Sequence, residues 1–252
     1  MDLFNVRGRT ALVTGASSGL GRHFAQVLAD AGAYVVVAAR RMDRLEEVAA
    51  NIEKRGGKAL PVEMDVTSED SVTGAFAEIA EALGRPCDIL VNNSGLSRDD
   101  WFNKMSEADW NAVIDTNLTG VWRVAKHATN AMIAGGKGGS IINIASITAF
   151  RPVHTLAAYA SSKAAVDHLT RVMALEAARS GIRVNAIAPG FFASEMTDQY
   201  KPGYLESVIE RSVLGRTGDP AELAATLVWL ASPAGGYVTG QTIVVDGGVS
   251  IT

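Results

Sequence analysis

The sequence predicts one doubly wound α/β domain, a mostly parallel sheet with helices on both faces. Three observations carry that expectation. Strand-like and helix-like segments alternate from residue 9 to the end, with no linker or low-complexity stretch between them. The strand-like runs are short, β-branched and closed by turn residues, and the longer segments between them keep helical periodicity. The run Ile141–Ala145 is almost wholly apolar, as a strand covered on both faces must be. Such alternation implies βαβ units and therefore parallel strands.

Thr10–Thr14 reads as the first strand, followed by a glycine-rich turn and a helix over Arg22–Ala31. Tyr34–Ala39 is the second strand, with helices Leu45–Arg55 and Ser71–Leu83 after it. The pairs Ile89–Val91 with Asp109–Met132, and Ile141–Ala145 with Ala157–Ser180, come next. Strand Val184–Ala188, helix Ala221–Leu230 and strand Ile243–Val245 close the chain. Two helices carry more apolar surface than one sheet-facing stripe requires. Asp109–Met132 holds Trp110, Val113, Ile114, Leu118, Val121 and Trp122; Ala157–Ser180 holds Val166, Leu169, Val172, Met173 and Leu175. Their second stripes predict a partner subunit.

Composition narrows the function. At 252 residues, 48% of them hydrophobic, the chain suits one large domain, read in two halves over about 1–135 and about 136–252. A net charge of −4 without a basic run argues against nucleic acid and anionic membrane surfaces. No stretch approaches the ~18 consecutive apolar residues of a membrane span, and the first residues lack the apolar core of a signal peptide. A lone cysteine, Cys87, leaves no intramolecular disulfide, so a cytoplasmic enzyme is expected. The four scattered histidines show no metal-ligand spacing, and no metal is expected.

The turn Thr14-Gly15-Ala16-Ser17-Ser18-Gly19-Leu20-Gly21 follows the first strand and opens a helix. Glycines there let the backbone approach a pyrophosphate, whose charge sits at the helix N-terminus. An acid at the end of the second strand would bind the ribose 2′-hydroxyl of NAD. Arg40 and Arg41 stand there instead. Guanidinium groups match a 2′-phosphate, so NADP(H) is expected over NAD(H).

Tyr159 and Lys163 lie four residues apart on a predicted helix, and Ser146 precedes the tyrosine by thirteen positions. The i, i+4 spacing puts phenol and ammonium on one face. An ammonium there is expected to lower the phenol pKa from about 10, making a group that exchanges a proton with a substrate oxygen.

These features together resemble the short-chain dehydrogenase/reductase family in its single-domain branch. The resemblance rests on Thr14–Gly21, Asp65-Val66, Asn92-Asn93-Ser94-Gly95, Asn117, Ser146, Tyr159-x-x-x-Lys163, Pro189-Gly190 and the closing Gly240–Gly248 segment. It implies a Rossmann sheet of seven parallel strands, usually in a homotetramer, and a catalytic set of Asn117, Ser146, Tyr159 and Lys163. It implies a cofactor set of Gly15, Ser17, Ser18, Gly19, Leu20, Gly21, Arg40, Arg41, Asp65, Val66, Asn92, Ser94, Gly95, Tyr159, Lys163, Pro189, Gly190 and Ser194. In that set Asp65 holds the adenine, Asn92 ends the fourth strand under the cofactor, and Ser194 meets the carboxamide. Asn117 orders a water near Lys163.

Substrate-facing loops contain Trp101, Phe102, Phe150, His154, Phe191, Phe192, Met196, Tyr200 and Tyr204. Ser146, His154, Tyr159, Phe191 and Phe192 form the expected pocket, under a lid over about 191–212. Its aromatic character suits a small, largely apolar ketone or secondary alcohol. The run from Ser94 to Asp99 also resembles 3-oxoacyl-thioester reductases, and sugar or polyol dehydrogenases are a further alternative. A nucleotide-sensing protein without turnover would have lost members of the catalytic set, all of which are present.

Overall fold

The computed structural model describes residues 3–192 and 202–252. Seven strands form one sheet in the order β3-β2-β1-β4-β5-β6-β7, every neighbouring pair parallel. They are β1 (Thr10–Thr14), β2 (Tyr34–Ala39), β3 (Lys58–Glu63), β4 (Ile89–Asn92), β5 (Gly139–Ile144), β6 (Ile182–Pro189) and β7 (Thr242–Val245). The helices are α1 (Gly19–Asp30), α2 (Met42–Lys54), α3 (Glu69–Leu83), α4 (Glu107–Ile114), α5 (Gly120–Gly135), α6 (Ala157–Ala177), α7 (Pro202–Arg211) and α8 (Ala224–Ala231).

The strand period of two divides the core. Along β1, Ala11 and Val13 join a cluster with Phe24 and Leu28 of α1, Leu45 of α2 and Leu227 of α8. Leu12 points the other way, into a cluster with Val72 of α3, Val124 of α5 and Ala174 of α6. Each face is thus sealed by its own helices, which is the predicted double winding.

Two elements differ from the periodicity. β3 was not among the strands read from alternation, because it contains Pro61 between Lys58 and Glu63. It lies at the sheet edge, where a missing ladder donor is tolerated. The single helix expected over Asp109–Met132 is interrupted by a π-turn, Asp115–Thr119, between α4 and α5. Asn117 sits in that turn with its side chain directed at the loop after β4.

Strand order reverses between β1 and β4, so the loops leaving their C-terminal ends part and open a crevice. Among the described residues, no helix is long and apolar enough to cross a membrane, and no group of three His, Cys, Asp or Glu could hold a metal.

Candidate active site

A cavity of about 460 Å³ occupies that crevice. Ser17, Arg40, Arg41 and Asp65 line it on the β2–β3 side, and Ser146, Tyr159, Lys163, Pro189 and Gly190 on the β5–β6 side.

The glycine-rich turn is clasped to the loop after β4. The Asn93 side chain donates to the carbonyls of Thr14 (3.0 Å) and Gly15 (3.3 Å). In return Thr14 Oγ1 accepts from the backbone N–H groups of Asn93 (3.0 Å) and Ser94 (3.1 Å). Gly21 does not line the cavity. It lets α1 pack, since a Cβ there would lie 2.2 Å from the Gly15 carbonyl oxygen and 2.4 Å from Asn93 Nδ2. Ser18 begins α1 without a side-chain cap, and no acid occupies the first turn. The helix-end N–H groups beside Ser17, Ser18, Gly19 and Leu20 therefore face the cavity unopposed by negative charge.

Arg41 reaches across to the same turn, Nη2 donating to Ser17 Oγ (3.1 Å) and Ser18 Oγ (3.4 Å). Asp65 accepts from the Thr67 N–H (2.9 Å) and hydroxyl (2.7 Å) through Oδ1. Burial raises the Asp65 pKa, but the Thr67 bonds and the charges of Arg40 and Arg123 outweigh it and hold the carboxyl below its usual range. Guanidinium, hydroxyls and carboxylate together fit the phosphorylated adenosine end of NADP(H).

Asn92 is a correction. It is buried and lies off the cavity, its Nδ2 donating to Asn143 Oδ1 (2.9 Å), whose own amide donates to Thr170 Oγ1 (2.9 Å). It braces β4, β5 and α6, while its neighbour Asn93 faces the cleft. Ser94, Gly95 and Val66 do line it.

At the other side Ser146 leaves β5 and caps the short 3₁₀ turn Ile147–Ala149, its Oγ accepting from Thr148 N–H (3.2 Å). Tyr159 falls in the first turn of α6, and Lys163 one turn later is almost fully buried. Lys163 Nζ donates to the Ile144 carbonyl (2.7 Å) and lies 5.6 Å from the centre of the Tyr159 ring.

Here the expected pKa shift is reversed. Burial pushes the Tyr159 phenol above its ordinary value; a hydrogen bond with Ser146 pulls it back, and the Asp99 carboxylate raises it further. Burial likewise brings Lys163 down to about 8. The helical spacing gives proximity, but both groups are dehydrated and Lys163 is turned toward a backbone carbonyl.

Asn117 sits one layer behind the cavity wall, fully buried. Its Oδ1 accepts from Leu96 N–H (2.8 Å), and its Nδ2 donates to the Leu96 carbonyl (2.9 Å) and Ser162 Oγ (3.1 Å). Ser162 in turn donates to the Tyr159 carbonyl (2.7 Å). The side chain expected to order a water thus pins the loop after β4 to the start of α6. Gly95 lies between them and Lys163: a Cβ there would stand 3.3 Å from Asn117 Oδ1 and 3.6 Å from Lys163 Nζ.

His154 is a second correction. It is exposed, packs against Trp101 with ring centres 5.6 Å apart, and does not line the cavity. Next to it Thr155 takes φ 66°, its carbonyl accepting from Asp100 N–H (3.0 Å), which turns the loop outward at that point. Phe191 and Phe192 line the cavity as expected. Ser194, Met196 and Tyr200 lie outside the described residues, as does part of the expected lid. Sequence reading missed Arg151, Val153, Leu156 and Val249, which also line the wall, and did not single out Arg211 within the expected lid. They come from separate segments, and the link is visible only in space: Arg151 Nη1 donates to the Val249 carbonyl.

The buried lysine has a consequence for stability. Its folded pKa lies below that of an exposed lysine, so the unfolded chain binds the extra proton. The penalty is complete below about pH 8 and is relieved as pH rises toward the unfolded value near 10.4. Lys163→Met should therefore raise the melting temperature of the ligand-free protein at pH 7, and the gain should shrink toward pH 10. Melting curves across that range whose difference stays constant would contradict a buried charge.

The model of the enoyl-(acyl carrier protein) reductase family matches residues 15–250. A 3-oxoacyl-[acyl-carrier-protein] reductase from Thermotoga maritima is 37% identical, the match covering 98% of this chain and 99% of the relative. The crystal structure of a short-chain type dehydrogenase/reductase from Mycobacterium marinum superposes with a TM-score of 0.95 at 40% identity, covering 100% and 99% of the two chains. That of a gluconate 5-dehydrogenase from Burkholderia cenocepacia, in complex with NADP and tartrate, gives 0.96 at 36% identity, covering 100% and 98%.

Proposed function

The chain belongs to the short-chain dehydrogenase/reductase family, and on that premise we propose that it is an NADP(H)-dependent oxidoreductase interconverting a small ketone and its secondary alcohol. The observation that carries this reading is one continuous cavity joining the Arg41–Ser17–Ser18 cluster to Ser146, Tyr159 and Lys163. A neighbouring structure's bound NADP supports the cofactor. NADPH, when bound, supplies the hydride for the carbonyl carbon.

The chain's own residues do the rest. Arg40 and Arg41 hold the 2′-phosphate, Asp65 the adenine, and the open end of α1 the pyrophosphate. Gly95, Pro189 and Gly190 give the nicotinamide a flat wall. Ser146 Oγ and the Tyr159 hydroxyl point at one substrate oxygen, where Tyr159 releases its proton as negative charge develops and Ser146 stabilises that charge. Lys163 stands behind the phenol to restore the proton. Asn117 is a positioning residue, since it fixes the Leu96 loop and, through Ser162, the backbone of Tyr159. A raised phenol pKa keeps Tyr159 protonated at neutral pH, the form that carbonyl reduction requires. Val153, Leu156, Phe191 and Phe192 support a largely apolar substrate body.

Following NADPH absorbance against ketones, oxo-esters and acetoacetyl thioesters tests the reading, and no consumption with any of them would refute it. Arg41→Ala should lower kcat/KM for NADPH about tenfold or more while leaving NADH little changed; equal losses for both cofactors would remove the phosphate assignment.

A homotetramer and a cytoplasmic location belong to the same reading. The second apolar stripes leave Trp110, Trp122, Val172 and Leu175 exposed on α4, α5 and α6, supporting a partner there. Leu175, 80% exposed, is the sharpest probe. Leu175→Glu should reduce the assembled mass in light scattering, and an unchanged mass would exclude this face from the interface.

A further inference from the structure

We infer that the substrate carries a carboxylate, held by Arg151 and Arg211 on the wall of the cavity beyond Tyr159 and Ser146. The inference rests on the oxidoreductase reading of this cavity and names the substrate class within it.

Four arginines line the cavity, and they divide into two pairs. Arg40 and Arg41 belong to the end of β2 and are matched to the cofactor phosphate. Arg151 and Arg211 belong to the loop after β5 and the last residue of α7, on the catalytic side. Thr252 links the two segments: its hydroxyl accepts from Arg151 Nη1 (3.1 Å) and donates to the Arg211 backbone carbonyl (3.0 Å), while both side chains line the cavity. Arg151 is fixed further by its bond to the Val249 carbonyl, so one edge of its guanidinium is anchored and the other remains for a ligand. The Arg211 guanidinium is exposed and makes no hydrogen bond or ion pair among the described residues. Opposing charge is sparse: the Asp99 carboxylate acts on the Tyr159 phenol but does not line the cavity. Among the described residues that line the cavity, Asp65 is the one carboxylate, and it stands at the adenosine side. A neutral ketone would use neither guanidinium group of that wall. An oxo-acid with a short hydrocarbon body satisfies both features: the chain lies against Val153 and Leu156, and the carboxylate reaches the arginine fork. The reaction is unchanged, since oxo-carboxylate, NADPH and a proton give hydroxy-carboxylate and NADP⁺.

The test compares levulinate with its methyl ester, which lacks the negative charge at the distal end and carries one more methyl group. Wild-type kcat/KM should favour the acid by about tenfold or more, and Arg211→Ala should abolish most of that preference. Arg151→Gln, which keeps an amide donor toward Val249, should do the same if the C-terminal turn stays folded by its melting curve. Calorimetry of levulinate onto the enzyme–NADP⁺ complex supplies a readout that needs no turnover. Preference for the ester, a ratio unmoved in both variants, or acetoacetyl thioester reduced far better than any acid would each overturn the proposal. If no carbonyl is reduced at all, the oxidoreductase reading fails, and the proposal is then decided by calorimetry alone. Levulinate binding lost in Arg211→Ala upholds the anion site; binding absent from wild type or equal in the variant removes it.

Discussion

Tyr159→Phe should lower kcat by about 10²–10⁴-fold, the range of a positioned general acid, while NADPH binding survives. The ring stays, so packing at the start of α6 is retained, and the hydroxyl that faces Ser146 is removed. The variant should not be less stable, because the phenol oxygen is itself dehydrated in the folded chain. Steady-state rates and an NADPH fluorescence titration separate the two effects. Near-normal turnover would reassign proton transfer to another group, and parallel loss of both would make Tyr159 a cofactor residue.

Gly21→Ala should produce a large structural effect for a single methyl group. The added Cβ would meet the Gly15 carbonyl oxygen at 2.2 Å, a backbone atom that cannot rotate away. Either α1 shifts from the turn or the Asn93 clasp breaks. Overpacking of this kind costs about 1–3 kcal/mol, and the displacement also misplaces the N–H groups meant for pyrophosphate. Lower melting temperature together with loss of NADPH binding is the expected pair. Gly74→Ala is the control, since nothing lies within 4 Å of a Cβ there; it should gain up to about 1 kcal/mol from helix propensity. Equal behaviour of the two variants would show that the close approach at Gly21 is not what matters.

Much of this architecture was legible in the chain, for physical reasons that can be named. Strands such as Ile141–Ala145 declare themselves because both faces are buried, and the glycine turn does so because few other residues permit its packing. β3 escaped because an edge strand carries Pro61 and polar ends. Asn92 was misassigned although its strand held the answer: Leu90 and Asn92 share one side of β4, and Ile89 and Val91 share the other. A period of two sends Asn92 under the sheet and lets the next residue, Asn93, enter the cleft. The phenol pKa was not legible, because i, i+4 spacing fixes proximity and says nothing of dehydration. Arg151 and Arg211 were hidden for another reason: only tertiary contacts through Thr252 and Val249 bring them to one wall.

The Thr14–Asn93 clasp joins residues 79 positions apart, across the reversal of strand order. The two walls of the cleft can meet only when β4 docks beside β1. Pairings of such high sequence separation are slow to close. The cofactor crevice is therefore expected to close late in folding, with NADP(H) holding the chain after that closure. It should slow unfolding far more than it speeds folding, acting as a latch on the finished molecule instead of a template for it.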